Sequence, residues 1–164
     1  MSREGPENGY GKWGQAGVPH RGWTCDDIED LGELAAVCEM CEAQEIRYVH
    51  HMSHPRYGGT LACGCVCAGH MEGDPSAAAD RDKRMRNAAA RRARWLSRKG
   101  WRVSQNGNPT IRAYGYRVTV FSRAGAWAAS VAPLGGEPIF SKRRWSTLRA
   151  AKLAAFDKIV QLGE

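Results

Sequence analysis

The most regular pattern of apolar and polar positions lies in the last third of the chain. The segments IRAYGYRVTVFS, AWAASVA and EPIFSK are rich in strand-forming residues, and RAG and PLGG separate them as turns. Alternation along the first segment sets two groups on opposite sides, Tyr116, Val118 and Val120 against Arg117, Thr119, Phe121 and Arg123. The pattern predicts a three-stranded antiparallel sheet with arginines on one side.

Helical patterns flank these strands in the sequence. The segment RRWSTLRAAKLAAFDKIVQLGE has Ser146 or Thr147 as its N-cap and apolar residues at helical spacing, namely Leu148, Ala151, Ala155, Ile159 and Leu162. The segment from Ser76 to Gly100 is built mainly from alanine, arginine and lysine, which are strong helix formers. The second half of the chain is therefore predicted as α-β-β-β-α.

The first half shows shorter patterns. TCDDIEDLGELAAVC has a threonine cap, acidic residues in its first turn and apolar residues at helical spacing, so it predicts a short helix that ends before Cys38. EIRYVHHM and TLACGC are predicted as the two arms of a hairpin, with Pro55 and Gly58-Gly59 in its turn.

These elements define the fold class and the domain organisation. We expect an α+β protein with a flexible tail over residues 1–23, an acidic module over 24–75, a basic connecting helix over 76–100 and a basic β-β-β-α domain over 101–164. The tail has six glycines and no apolar core, so it does not resemble a signal peptide. No apolar run approaches the roughly 18 residues of a membrane span, and we expect a cytoplasmic protein.

Charge is divided unequally along the chain. Residues 1–80 contain 5 Lys/Arg and 13 Asp/Glu, whereas residues 81–164 contain 19 Lys/Arg and 4 Asp/Glu. A segment this basic indicates a polyanionic partner. The predicted basic helix also has a stripe of arginines, made by Arg84, Arg91, Arg94 and Arg98. A solvated surface is the alternative interpretation of this stripe.

Five of the six cysteines fall within 30 residues. CEMC, from Cys38 to Cys41, has the spacing of a knuckle that directs two thiolates at one ion. The second pair must come from the segment ACGCVCAGH, where we predict Cys65 and Cys67 because Cys63 is expected to lie in the strand. Cys63 in place of Cys65, or His70 in place of Cys67, are the alternatives. The prediction is a structural Zn²⁺ site of four thiolates, with Cys25 outside it.

The same region resembles the HNH endonucleases. The sequence CEMC…VHHMSHP…GG…L…CVCAGH places two cysteine pairs around paired histidines, His50 and His51. The resemblance implies a metal-dependent nuclease in which the second histidine activates water. The Asn-Leu step that precedes the second cysteine pair in that family is absent here. The other interpretation takes His50, His51 and His54 as polar strand and turn residues.

The basic half resembles two families of nucleic-acid-binding domains. SKRR followed by AKLAAFDKIV is similar to the last helix of the double-stranded-RNA-binding domain, and this implies phosphate contacts from Lys142, Arg143 and Arg144. GAWAASV and STLRAAKLAAFDKI are similar to the second strand and the helix of the ethylene-responsive-factor DNA-binding domain. That resemblance implies a sheet in the major groove, with these groove-facing candidates: Arg112, Arg117, Arg123 and Trp127. For Trp127, packing in the core is the alternative interpretation.

The sequence as a whole predicts non-enzymatic binding of double-stranded nucleic acid, DNA slightly ahead of RNA, through the basic half. The first alternative is an HNH-like nuclease that uses His50 or His51. The second is an adaptor whose zinc module binds a protein partner while the basic half tethers it.

Overall fold

The computed structural model describes residues 9–163. The chain divides into two compact units, unit 1 ending at Arg86 and unit 2 beginning at Asn87. The structure is of mixed α and β composition, as expected for the α+β class. No helix within residues 9–163 combines the length and the apolar character that crossing a membrane requires.

Unit 1 is built on an antiparallel sheet in the order β1-β4-β5. Its elements, in chain order, are β1 (Thr24–Asp30), β2 (Ala36–Val37), β3 (Glu45–Ile46), β4 (Tyr48–His54), β5 (Tyr57–Cys63), α1 (Cys65–Glu72) and α2 (Pro75–Asn87). The hairpin β4–β5 agrees with the sequence pattern, although Gly58 and Gly59 lie inside β5 and the turn is Pro55-Arg56. Both cysteines of the CEMC knuckle lie in the turn between β2 and β3.

The helix predicted before Cys38 is wrong, because Thr24–Asp30 forms the edge strand β1. Ile28 of this strand is opposite His50 of β4 and is buried. The carboxylate of Asp30 is also buried, where it accepts two hydrogen bonds from Arg47 at 2.7 and 3.1 Å. Tertiary pairing thus overrides a helical pattern whose third apolar position, Leu34, remains 65% exposed.

The predicted flexible tail is ordered where the structure describes it. Residues 1–8 lie outside the described residues, and residues 9–23 pack onto unit 1 with Trp13 and Trp23 buried in its core. A short 3₁₀ helix, Gly11–Gly14, lies against the CEMC knuckle. Gly11 has a φ of 58°, and a Cβ there would meet the backbone of Cys41 at 2.6 Å, so only glycine fits this approach.

Unit 2 contains a five-stranded antiparallel sheet in the order β10-β9-β8-β7-β6. Its elements are α3 (Ala89–Trp95), β6 (Arg102–Val103), β7 (Pro109–Ala113), β8 (Tyr116–Arg123), β9 (Ala126–Pro133), β10 (Ile139–Phe140) and α4 (Leu148–Gln161). The predicted number of three strands is wrong. The segment IRAYGYRVTVFS turns back at Tyr114-Gly115, where both residues have positive φ, and so forms β7 and β8.

The helices flanking the sheet also differ in part from the expectation. The helix predicted over residues 76–100 is two helices, α2 and α3, separated at Ala88. The final helix agrees with its pattern: Thr147 Oγ1 accepts a hydrogen bond from Ala150 N at 3.1 Å, so Thr147 rather than Ser146 is the N-cap. Along α4 the buried residues include Ala151, Ala155 and Ile159 from the predicted stripe, whereas Leu162 is exposed.

Helix α4 packs against β8 and β9, and this packing gives the sheet two different faces. The covered face contributes apolar side chains to the core, among them Ile111, Val118, Val120 and Val131, together with Phe156 of α4. The opposite face, called the open face below, presents Arg102, Thr110, Arg112, Arg117, Thr119, Phe121, Arg123 and Ser130 in strand register.

Candidate metal centre and nucleic-acid interface

Three buried cysteines of unit 1 form a group that can hold a metal ion. The sulfur atoms of Cys38, Cys41 and Cys67 all lie within 4.8 Å of one another. Four thiolates placed tetrahedrally about 2.3 Å from a zinc ion have sulfur–sulfur separations of about 3.8 Å. The observed spacing is therefore suited to such an ion with only small adjustments of the side chains.

The CEMC knuckle is fixed in place by backbone hydrogen bonds. Cys38 N donates to Gln44 O at 2.8 Å, and Glu42 N donates to Cys38 O at 2.8 Å, which closes the turn between β2 and β3. Glu39 ties this turn to β5, because its N–H donates to Ala62 O and its carboxylate accepts from Ala62 N, each at 2.8 Å. The knuckle is thus held beside the end of β5, where the second cysteine segment begins.

Cys67 reaches the group from the first turn of α1. The strand β5 ends at Cys63, Gly64 is the N-cap of the helix in an extended conformation, and α1 starts at Cys65. The indole Nε1 of Trp13 donates to Cys67 Sγ at 3.3 Å. A thiolate ligand accepts such a hydrogen bond well, so Trp13 both covers the group and orients this sulfur.

The four candidate sulfurs have strongly different affinities for protons. The neighbouring thiols of Cys63 and Cys67 lower the pKa of Cys38. The hydrogen bond to Cys38, together with burial, raises the pKa of Cys63 and of Cys67. Burial raises the pKa of Cys41. A metal ion bound to these cysteines would replace the protons of their thiol groups.

The position of Cys63 distinguishes it from Cys65. Cys63 is fully buried and its thiol lowers the pKa of Cys38, although Cys63 does not belong to the mutually close group of three. Cys65 is half-buried at the start of α1, and the group does not include it. The structure thus brings together three of the four predicted ligands, Cys38, Cys41 and Cys67.

His70, the alternative ligand, and Cys25, which was predicted to lie outside the site, are both apart from this group. His70 is in the last turn of α1, with its ring edge-on to Trp13 at a centroid distance of 6.4 Å. Cys25 is in β1, where its thiol donates to Asp27 O at 3.3 Å and burial raises its pKa. Neither of them is a member of the group.

The histidines considered for catalysis are engaged in the sheet of unit 1. His50 is fully buried, with Nε2 3.3 Å from Asp82 Oδ1 and Nδ1 accepting from Arg81 Nε at 3.3 Å. Burial lowers the pKa of His50. His51 Nε2 lies 2.9 Å from Glu29 Oε1, and His54 Nε2 lies 2.9 Å from Arg21 O. His50 therefore has both ring nitrogens occupied and no access to solvent.

The open face of unit 2 concentrates arginines. Arg112 and Arg117 are direct cross-strand partners, so both side chains lie on the same face. They line a trough of about 760 Å³ together with Arg102, and the rest of its lining is mostly polar: Gly100, Ser104, Asn106, Asn108, Thr110, Ile111 and Thr119. Within residues 9–163, no acidic side chain lines this trough. The predicted Arg123 lies at the far end of β8, with its guanidinium 5.3 Å from the ring centroid of Phe121.

The other predicted nucleic-acid-binding residues lie elsewhere. Trp127 is half-buried and lies in register on the same face as Ala129 and Val131. Arg84 is exposed on α2 of unit 1, whereas the remaining arginines of the predicted stripe belong to α3 of unit 2 and the residues after it: Arg91, Arg94 and Arg98. Lys142, Arg143 and Arg144 lie in the loop before α4, where the Arg143 guanidinium is 5.1 Å from the Trp145 ring centroid.

Three trough residues were missed from the sequence. Arg102 precedes a segment, SQNGNP, whose turn residues indicate only a loop. Asn106 and Asn108 are part of that loop, and the pairing of β6 with β7 brings them beside Arg112. An arginine and two asparagines next to a basic strand were the available signal, because both residue types recognise base edges.

No protein-family model, no curated protein and no solved structure matches this chain.

Proposed function

We propose that this chain is a non-enzymatic zinc protein that binds double-stranded nucleic acid, DNA in preference to RNA, through the open face of unit 2. The observation that carries the proposal is the direct pairing of Arg112 with Arg117 in a trough lined by Arg102 and by no acidic side chain. Like charges placed directly across two strands destabilise a sheet. A polyanion that binds there would neutralise them, and this gives the arrangement a function.

The shape of the face favours a DNA groove. A two-stranded β-ribbon fits the major groove of B-DNA, which is about 12 Å wide, whereas the major groove of an RNA duplex is too deep and narrow for side chains to read. On the neighbouring strand β9, the positions in register with the open face hold small residues, namely Ala126, Ala128, Ser130 and Ala132. The larger groups of this face are therefore the arginines of β7 and β8 and the rings of Phe121 and Phe140, whose centroids lie 6.2 Å apart.

The trough also has the residue types of direct base recognition. Arginine pairs with the two acceptors of guanine, and asparagine pairs with the donor and acceptor of adenine. Arg102 supplies the first type, and Asn106 and Asn108 supply the second, while Arg112 and Arg117 provide the phosphate neutralisation. The proposed interface therefore combines phosphate neutralisation with the means for sequence preference.

The test compares two sets of arginine substitutions in the zinc-loaded full chain. Arg112→Ala with Arg117→Ala is expected to weaken binding to a duplex of about 20 base pairs at least tenfold, as measured by fluorescence anisotropy at low salt. Arg149→Ala is the matched control, because Arg149 is exposed on α4, away from the open face. Equal binding by the double variant and the control would overturn the proposal, as would failure of the wild-type chain to bind duplex DNA.

We further propose that the metal is zinc and that Cys63 supplies the fourth ligand beside Cys38, Cys41 and Cys67. Four thiolates form a closed tetrahedral site without a position for substrate, which is the structural type of zinc site. The complete burial of Cys63, and its effect on the pKa of Cys38, support this choice over the half-buried Cys65. Zinc would then join the CEMC knuckle to the β5–α1 junction and stabilise unit 1.

Two single substitutions test this ligand assignment. Cys63→Ser is expected to lower the bound zinc and the thermal stability of unit 1, whereas Cys65→Ser should leave one zinc per chain, as measured by elemental analysis of purified protein. The reverse result would assign the ligand to Cys65. An equal loss in both variants would contradict the choice of Cys63 alone.

A further inference from the structure

Unit 2 has a second basic cavity that does not lie on the open face. It has a volume of about 230 Å³ and is lined by Arg91, Arg94, Trp95, Ser97 and Arg98 of α3 and the residues after it, and by Tyr114 of the β7–β8 turn. We call it the arginine–tyrosine pocket. None of its lining residues is acidic.

Tyr114 holds two of the three guanidinium groups in place. The carbon of the Arg91 guanidinium lies 5.2 Å from the Tyr114 ring centroid, and that of Arg98 lies 4.7 Å from it. Arg98 Nη1 also donates to the Tyr114 hydroxyl at 3.1 Å. Because the ring itself stacks on Trp95 and lies edge-on to Phe156, this support is continuous with the core of unit 2.

Tyr114 is the first residue of the two-residue turn between β7 and β8, in which Tyr114 and Gly115 both have positive φ, at 56° and 82°. The turn places the Tyr114 ring beside the guanidinium groups of Arg91 and Arg98, which line the same pocket.

We propose that the arginine–tyrosine pocket binds a phosphate group. A planar guanidinium donates two parallel hydrogen bonds to phosphate oxygens, and arginines already fixed by a ring lose little conformational entropy when they do so. The pocket is smaller than the roughly 300–1,000 Å³ of sites that enclose a drug-sized ligand. It therefore suits one phosphate group rather than a whole nucleotide.

The test uses inorganic phosphate as the probe and the zinc-loaded full chain. Phosphate at low ionic strength is expected to bind saturably, with NMR shifts of the arginine Nε–Hε signals of Arg91, Arg94 and Arg98. Arg94→Ala should weaken phosphate binding about tenfold or more, since it removes a charge-assisted pair but leaves both guanidinium groups that contact Tyr114. Arg149→Ala, at an exposed residue of α4 that lines neither cavity, is the control and should leave phosphate affinity unchanged.

Duplex DNA added to the phosphate-bound chain identifies the source of the group. If the duplex displaces phosphate and Arg94→Ala also weakens duplex binding, the pocket takes a phosphodiester of the nucleic acid backbone. If phosphate and duplex bind together, the pocket takes phosphate from a free phosphorylated molecule. Absence of saturable phosphate binding, or equal affinity in Arg94→Ala and Arg149→Ala, would overturn the pocket without affecting the proposal for the open face.

Discussion

The two units differ in whether their polar side chains are buried or exposed. Five polar or charged side chains are buried in the described residues, and four of them, Asp30, His50, His54 and Asp82, belong to unit 1. There each has a hydrogen-bond partner, and the cysteine group is buried as well. Unit 2 buries only Asp157 among its described residues, and its arginines gather around open cavities.

This contrast separates stabilisation from binding. Buried polar groups cost free energy unless they are paired, so the polar groups of unit 1 specify its own fold. Cations clustered at an open surface repel one another and contribute little to stability, which is why we propose that those of unit 2 bind a polyanion. The comparison predicts that metal removal and charge removal affect different units.

The largest expected effect is the unfolding of unit 1 when the metal is removed. Chelation of zinc, or Cys38→Ser, should unfold unit 1, because the free energy of binding to a structural site of this type is about 10–16 kcal/mol in zinc-finger peptides. Amide resonances of unit 2 should keep their dispersion in the same NMR spectrum. Retention of dispersed unit 1 resonances after chelation would contradict a stabilising metal.

The next effect is expected in unit 2. The Asp157 carboxylate accepts hydrogen bonds from Arg92 at 2.7 and 3.0 Å inside the unit. Asp157→Ala leaves the Arg92 charge without its buried partner and should lower the free energy of unfolding by about 3–5 kcal/mol in urea titrations. Arg144→Ala, at an exposed loop residue, is the control and should change it little. A similar small effect for both would show that the pair adds nothing to unit 2.

A smaller effect should appear as a pH dependence of unit 1. Burial lowers the pKa of His50 below the usual value near 6.5, so the unfolded chain takes up a proton first as the pH falls. Stability is therefore retained above about pH 6.5 and declines below it, by at most about 1.4 kcal/mol per pH unit from this group. His50→Gln should reduce that slope between pH 7 and 6, measured at equal zinc saturation. An unchanged slope would exclude His50 as its source.

The smallest effect concerns the N-cap of α4. Thr147→Ala removes the hydrogen bond to Ala150 N and should destabilise unit 2 by about 1 kcal/mol. Ser146→Ala is a matched control, because the capping hydrogen bond comes from Thr147. Thermal unfolding that responds equally to both substitutions would mean that the cap is not specific to Thr147.

Sequence patterns predicted best where local chemistry and tertiary packing agree. The apolar spacing and Thr147 cap of α4 combine with its packing on β8 and β9, and the hairpin β4–β5 follows a clear strand pattern. The helix expected in TCDDIED failed because pairing with β4 decides its conformation. The turn at Tyr114 was not predicted, since a tyrosine with positive φ has no sequence signal.

Only some residues of each candidate site could be predicted from the sequence. The spacing of CEMC and the position of Cys67 led to three sulfurs that the structure brings together. The start of α1 at Cys65 was not foreseen, because CVCAGHME contains poor helix formers, and this start decides how the cysteines near it are placed. Strand alternation placed Arg117 and Arg123 on one side, but only the pairing of β6 with β7 adds Arg102 and the asparagine loop.

The salt dependence of duplex binding tests the central claim most directly. Removing one cation that neutralises a phosphate reduces the magnitude of the slope of log K against log salt by about 0.9 for B-DNA. The account predicts that Arg112→Ala with Arg117→Ala lowers that magnitude by about 1.8 relative to the wild-type chain, whereas Arg149→Ala leaves it unchanged. A double variant with the wild-type slope would contradict the assignment of the open face as the surface that binds nucleic acid.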